Sequence, residues 1–129
     1  MWLIDTVAAR SVLSFEVYNS LPASVKFSLS SENSANALAN GQQAKTYGVG
    51  HVVMRLGNSE FQMHVIVAEI EDEGILGMDF LSQVDSRIDI VTNQLSINGE
   101  VFDCSYFKNQ PLSSRFMVRR SSTSLLILY

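Results

Sequence analysis

The chain has 129 residues, of which 47% are hydrophobic and 17% are charged, and its formal net charge at pH 7 is −4. A chain of this length and apolar content can bury an ordinary hydrophobic core, which excludes disordered and collagen-like classes. The acidic balance argues against nucleic acid as the main partner, because binding to phosphates needs a basic surface.

The first element is an apolar run, Trp2-Leu3-Ile4, which predicts a β-strand that delivers Asp5 and Thr6 into a turn. The next distinctive segment, Ser30 to Gly41, interleaves Ser, Asn, Ala and Gly. This composition predicts a mobile loop or the tip of a hairpin.

The middle of the chain alternates between apolar and polar residues from Glu60 to Val67, which predicts a strand with one buried face. That face consists of Phe61, Met63, Val65 and Val67. Val49 to Leu56 is predicted to be its hairpin partner, because turn residues follow at Gly57-Asn58. His64 lies on the opposite face and is predicted to face solvent or to be satisfied by a neighbouring group. Because His51 and His64 are not at metal-ligand spacing in the sequence, no metal site is predicted.

The next segments predict one short helix and a second hairpin. Met78 to Val84 favours a helix of one or two turns. Arg87 to Val91 and Gln94 to Ile97 predict two strands, and Asn98-Gly99 then turns the chain into Val101-Phe102. The predicted fold class is therefore all-β.

The charge is uneven along the chain. Residues 1–104 contain all thirteen acidic residues and five Lys and Arg, whereas residues 105–129 contain four Lys and Arg and no acid. We therefore predict a domain over 1–104 and a basic, Ser-rich C-terminal extension over 105–129. A solvated edge of the same domain is the alternative interpretation of the second segment.

The single cysteine, Cys104, cannot form an intramolecular disulfide, which favours a reducing, intracellular and cytoplasmic location. No segment contains the roughly 18 consecutive apolar residues of a membrane helix, and no targeting signal is evident, so no membrane partner is expected. No pattern in the sequence predicts a cofactor.

Two separated blocks carry the strongest functional signal. The first is Asp5-Thr6-Val7-Ala8 with Ser11, and the second runs from Ile75 to Leu81 as Ile-Leu-Gly-Met-Asp-Phe-Leu. Together they resemble the retropepsin-like family of aspartic endopeptidases, and in particular the protease domains of gypsy-like retrotransposon polyproteins. The family pattern is Asp-Thr-Gly-Ala followed later by Ile-Leu-Gly-x-Asp-Phe-Leu. Ala39-Asn40-Gly41 and Tyr47-Gly48 also match, so the resemblance covers about Trp2 to Cys104.

The resemblance implies a small β-barrel-like subunit that supplies one catalytic residue, Asp5, to an active site on a two-fold dimer axis. The expected partners are a second copy of the chain and a polypeptide substrate. The expected site residues are the active-site loop, the segment that supports it and the flap over the substrate. They are Thr6, Val7 and Ala8 in the loop; Ile75, Leu76 and Gly77 in the support; and Ser31, Glu32, Asn33 and Ser34 in the flap.

Two features depart from the family pattern. Val7 stands where the family has Gly, a residue that permits a tight turn beside the carboxylate. Only four residues precede Asp5, so the family's additional N-terminal strand is expected to be truncated. Two hypotheses follow: an active aspartic endopeptidase, or a catalytically inactive retropepsin-like module for dimerisation or peptide binding.

Overall fold

The structure is a computed structural model that describes residues 2–6, 8–31, 44–89, 91–106, 115–118 and 125–127. It is mainly β-strand, which confirms the predicted all-β class. The elements are β1 (Trp2–Asp5), β2 (Val12–Ser14), α1 (Phe15–Ser20), β3 (Thr46–Leu56), β4 (Ser59–Ala68), β5 (Gly74–Leu76), α2 (Met78–Leu81), β6 (Ser86–Asp89), β7 (Gln94–Ile97), β8 (Glu100–Tyr106), β9 (Arg115–Val118) and β10 (Leu125–Ile127).

The described strands form one sheet in the order β10-β3-β4-β2-β5-β1-β9-β8-β7-β6. β1 lies inside this sheet, parallel to β5 on one side and antiparallel to β9 on the other. β2 is parallel to β4 and antiparallel to β5. The short strands near the N-terminus are therefore held by long-range pairing on both of their edges.

The predicted hairpin of β3 and β4 is confirmed, with its turn at Gly57, where φ is 60°. The alternating residues of β4 have the predicted orientation: Phe61, Met63, Val65 and Val67 are buried. His64 lies on the other face and is exposed. The period-two pattern thus correctly identified the face that packs against the core.

The second predicted hairpin is also present, but its first strand is shorter than predicted. β6 ends at Asp89, whose carboxylate accepts hydrogen bonds from the backbone amides of Val91 (2.9 Å) and Thr92 (3.1 Å). These bonds form a turn, so Val91 leaves the strand and is exposed. They also lower the pKa of Asp89, chiefly through the Thr92 amide. Asn98 and Gly99, both at positive φ, form the predicted turn into β8.

The structure has two short helices among its described residues, where one was predicted. The additional helix, α1, begins after Ser14, whose Oγ accepts hydrogen bonds from the amides of Glu16 (3.1 Å) and Val17 (3.4 Å). Such a serine cap stabilises the first turn of a helix. α2 begins at Met78 as predicted but ends at Leu81 rather than Val84. With six and four residues, neither helix is long enough to cross a membrane.

Apolar side chains pack on both faces of the sheet. The larger cluster includes Trp2, Ile4 and Phe80, and the smaller one includes Leu3 and Ile75. Because neighbouring residues of β1 belong to different clusters, this strand is covered on both faces. The strand that carries Asp5 is therefore a central, rigid part of the fold.

Two strands of the segment 105–129 pair with strands that lie within residues 1–104. β9 lies between β1 and β8, and β10 pairs with β3 along the outer edge. β8 itself runs from Glu100 to Tyr106 and so spans residue 104. The boundary at residue 104 stays a prediction, and any function assigned to the chain has to include the contribution of β9 beside Asp5.

Candidate active site

Asp5 is the last residue of β1, with β5 and β9 on either side. Its backbone lies opposite that of Arg115 in β9, and its relative exposure is 0%. The chain turns immediately afterwards, because the Ala8 amide donates a hydrogen bond of 3.3 Å to the Asp5 carbonyl oxygen. The predicted strand and turn around Asp5 are both present, and the residue is buried within the single chain.

The residues of the predicted active-site loop are described in part. Thr6 is half-buried and Ala8 is buried, with 5% of its surface exposed. Val7 lies outside the described residues. Ala8 belongs to the smaller apolar cluster, which anchors the end of the loop to the core.

The predicted support residues lie directly beside the strand that carries Asp5. In the parallel pairing of β1 and β5, Leu3 is opposite Ile75 and Ile4 is opposite Leu76. Both Ile75 and Leu76 are buried, and Gly77 follows at the end of the strand. The fold therefore brings the two sequence blocks into contact although Gly77 comes 72 positions after Asp5.

Gly77 is in unusually close contact with the loop that follows Asp5. A Cβ atom at this position would lie 2.7 Å from the carbonyl oxygen of Ala8 and 2.8 Å from that of Arg10. Real Cβ atoms are essentially never closer than 3.0 Å to such neighbours. Because the neighbours are backbone atoms, no side-chain rotation relieves the crowding, and only glycine fits here without a shift of the loop.

Hydrogen bonds hold the two blocks together at this contact. The Met78 amide donates to the carbonyl oxygen of Ala8 (2.7 Å), and the Asp79 amide donates to that of Ala9 (3.1 Å). Ser11 adds three further bonds through its amide and its hydroxyl group. Its amide donates to Asp79 Oδ2 (2.9 Å), its Oγ donates to Asp79 Oδ1 (2.7 Å), and its Oγ accepts from the Gly77 amide (3.0 Å).

The hydrogen bonds between Ser11 and Asp79 were not predicted from the sequence. Both residues belong to the two matching blocks, but nothing in their local patterns shows that they bind each other across 68 positions. Ser11 is fully buried, and its hydroxyl group satisfies a buried amide and a carboxylate at once. A charge-assisted bond of this kind is stronger than one between neutral groups, so the pair fixes the spacing of the two blocks.

The predicted flap is mostly outside the described residues: this applies to Glu32, Asn33 and Ser34. Ser31 is described and exposed. The preceding residue, Ser30, exchanges two backbone hydrogen bonds of 2.9 Å with Val49. The base of the segment is thereby attached to β3. Gly48, at φ 136°, allows this approach, because a Cβ there would lie 2.8 Å from the Ser30 carbonyl oxygen.

An acidic groove of about 350 Å³ lies between α1 and the segment before β5, and Asp5 does not line it. Its lining includes the carboxylates of Glu16, Glu71, Asp72 and Glu73. In the part of the chain that the structure describes, no group of three or more His, Cys, Asp or Glu residues has the arrangement of a metal site. Asp5 and the loop that follows it are the candidate site. Asp5 is a motif residue, and hydrogen bonds to the second sequence block hold the loop in place.

No protein-family model matches this sequence, and a search of curated proteins finds no significant match.

The Gly77→Ala substitution is expected to destabilise the fold by about 1–3 kcal/mol, because its methyl group would collide with backbone atoms. The measurement is the free energy of unfolding from urea titration. Ser82→Ala is the control, since Ser82 is exposed and its Oγ donates only to the Met78 carbonyl oxygen, which lies outside the contact with Ala8 and Arg10. Equal stability of Gly77→Ala and the control would contradict the close contact.

The Ser11→Ala substitution is expected to cost about 1–3 kcal/mol of folding free energy, because it leaves the buried Gly77 amide without its acceptor. The same urea titration measures this loss. Hydrogen exchange at the Gly77 amide provides an independent readout and should accelerate in the variant. Unchanged exchange at that amide would show that Ser11 does not hold the two blocks together.

Proposed function

We propose that the chain is the subunit of a retropepsin-like aspartic endopeptidase of retrotransposon polyprotein origin. Two copies would form a homodimer, each supplying Asp5 to one active site on the two-fold axis, and the substrate would be a polypeptide. A reducing, cytoplasmic location agrees with the single cysteine.

The observation that carries this proposal is the contact between the two motif blocks. Asp5 ends β1, the Ile75-Leu76 pair lies alongside that strand, and Gly77 packs on the loop that follows Asp5. Residues of two blocks that lie about 70 positions apart in the sequence thereby meet beside the strand and the loop that carry Asp5. A chance match of two short motifs would not require them to meet in space.

The proposed reaction needs two carboxyl groups with different protonation states. One carboxylate removes a proton from a water molecule, whose oxygen attacks the carbonyl carbon of the peptide bond. The other carboxyl group donates its proton to the carbonyl oxygen. The carbon–nitrogen bond then breaks as the nitrogen takes up a proton. Because one chain contributes only one Asp5, the proposal requires a second copy.

The remaining predicted residues would complete the proposed site. Thr6 would hydrogen-bond across the dimer and hold the two active-site loops together. The flap, which includes Ser31, would cover the substrate and exclude water. Gly77 and the Ser11–Asp79 pair would hold the loop after Asp5 in a fixed position in each subunit. Catalysis needs such a fixed position of the carboxyl groups.

A second candidate function is favoured by the burial of Asp5, whose relative exposure is 0% in the single chain. A carboxylate that activates a water molecule must be reachable by that water and by the substrate. A module that keeps this carboxylate covered would dimerise or bind a peptide without cleaving it. The Val7 departure from the family pattern favours the same alternative, because a β-branched residue restricts the loop where the family has Gly.

The Asp5→Asn substitution is expected to abolish cleavage of a mixed peptide library at mildly acidic pH while leaving the fold intact, because Asn occupies nearly the same volume. The expected pH dependence of the wild-type rate is a bell with an acidic optimum, since one carboxyl group must be ionised while the other is protonated. Product analysis by mass spectrometry provides the measurement. A flat rate between about pH 4 and 8 would contradict a carboxylate pair.

The Val7→Gly substitution separates the two candidate functions. For the protease, it should raise the cleavage rate by removing crowding worth about 1–3 kcal/mol, which corresponds to about a 5- to 150-fold change. Sedimentation over a range of concentrations establishes whether both proteins are dimers. A dimeric protein that cleaves nothing with either Val7 or Gly at this position would favour the inactive binding module.

A further inference from the structure

His51 and His64 are the only two histidines of the chain, and the fold places them side by side. They are directly opposite each other in the antiparallel pairing of β3 and β4. Residues so placed have Cβ atoms about 4.5–5.5 Å apart and point to the same face of the sheet. The centroids of their imidazole rings are 5.0 Å apart, and the rings are inclined at 71°.

Both side chains are available for a ligand. Each is exposed, and neither makes a hydrogen bond or ion pair with any residue that the structure describes. The two strands that carry them form the longest hairpin of the described chain, with regular pairing from Gly48 to Leu56. The positions of the two Cα atoms are therefore fixed, and only the side-chain torsions remain free.

We propose that His51 and His64 form a two-imidazole site for a divalent late transition-metal ion, with Zn²⁺ as the ion that fits best. Imidazole nitrogens bind Zn²⁺ at about 2.0–2.1 Å, so two of them on a tetrahedral ion are about 3.3 Å apart. The observed centroid separation of 5.0 Å is about that of two imidazoles bound to one tetrahedral ion. Water or an external ligand completes the coordination.

The neighbours of the pair also favour a soft, nitrogen-binding ion over Mg²⁺ or Ca²⁺. The next residues on the same face are Val49 and Ile66 on one side and Val53 and Gln62 on the other. The nearest charged groups along this face, Arg55 and Glu60, are paired with each other at 2.7 Å. Among the described residues of this face, no carboxylate is therefore free to recruit a hard cation, and imidazole is a ligand class that suits Zn²⁺, Ni²⁺ and Cu²⁺.

The site is independent of Asp5 and goes beyond the proposed proteolytic function. A bound ion would cross-link β3 and β4 at the middle of their hairpin and so stabilise the fold. Because the ion binds the folded chain and not the unfolded one, it raises the melting temperature as its concentration increases.

The test is a Zn²⁺ titration of the full chain at about pH 7.5, followed through the imidazole C–H signals in proton–carbon correlation spectra. The Cε1–H group gives one signal for each of the two histidines, so two signals are followed, and each is assigned from one variant. Both signals should shift along one isotherm that saturates at one ion per chain. Mg²⁺ at the same concentrations should shift neither signal.

The variants His51→Gln and His64→Gln should each weaken Zn²⁺ binding about 100-fold, because each removes one of the two imidazole ligands that the hairpin holds side by side. Gln62→Ala is the matched control, since it changes an exposed neighbour on the same face and should leave the affinity unchanged. Circular dichroism checks that each variant folds. Independent isotherms for the two imidazoles, undiminished affinity in either single variant, or saturation at one ion per two chains would overturn the proposal.

Discussion

The close approach of Gly77 to the loop after Asp5 is the constraint on which the arrangement of the candidate site depends. The carbonyl oxygens of Ala8 and Arg10 lie within 2.8 Å of the point that a Cβ atom of residue 77 would occupy. Only a residue without Cβ permits this approach. Because of this contact, the start of α2 packs against the loop. The amides of Met78 and Asp79 can therefore donate hydrogen bonds to the carbonyl oxygens of Ala8 and Ala9. The parallel pairing of β1 with β5 and the Ser11–Asp79 bonds also hold these two segments together.

This frame explains how a strand of four residues can present a carboxylate in a defined position. β1 is paired on both edges and covered on both faces, so its end is held by the sheet as well as by the loop. A strand held in this way keeps its last residue in a defined position, which is what a preorganised site needs. Asp5 is buried in the single chain, so under the proposed function the loop and a second copy would have to uncover or share this residue.

The sequence predicted the features that depend on local pattern. Alternation identified the buried face of β4, and Gly57 and Asn98-Gly99 marked the hairpin turns, because backbone conformation at positive φ is a local property. α1 was missed since its cap at Ser14 stabilises only six residues. The Ser11–Asp79 bonds could not be predicted, because they join a loop and a helix that are 68 positions apart. The His51–His64 pair was not predicted either, although both residues lie in the β3–β4 hairpin that the alternation indicated. The two matching blocks identified the candidate residues from the sequence. Only the fold shows that the two blocks are in contact.

The most direct test of the central claim, that two chains share one site with an Asp5 from each, is a mixing experiment. Wild-type protein at a fixed concentration is equilibrated with increasing amounts of Asp5→Asn, and peptide cleavage is measured. Mixed dimers would hold a single carboxyl group, so the activity should fall towards zero as the variant becomes the major species. Cleavage that is unaffected by an excess of Asp5→Asn, in protein shown to exchange subunits, would contradict the account.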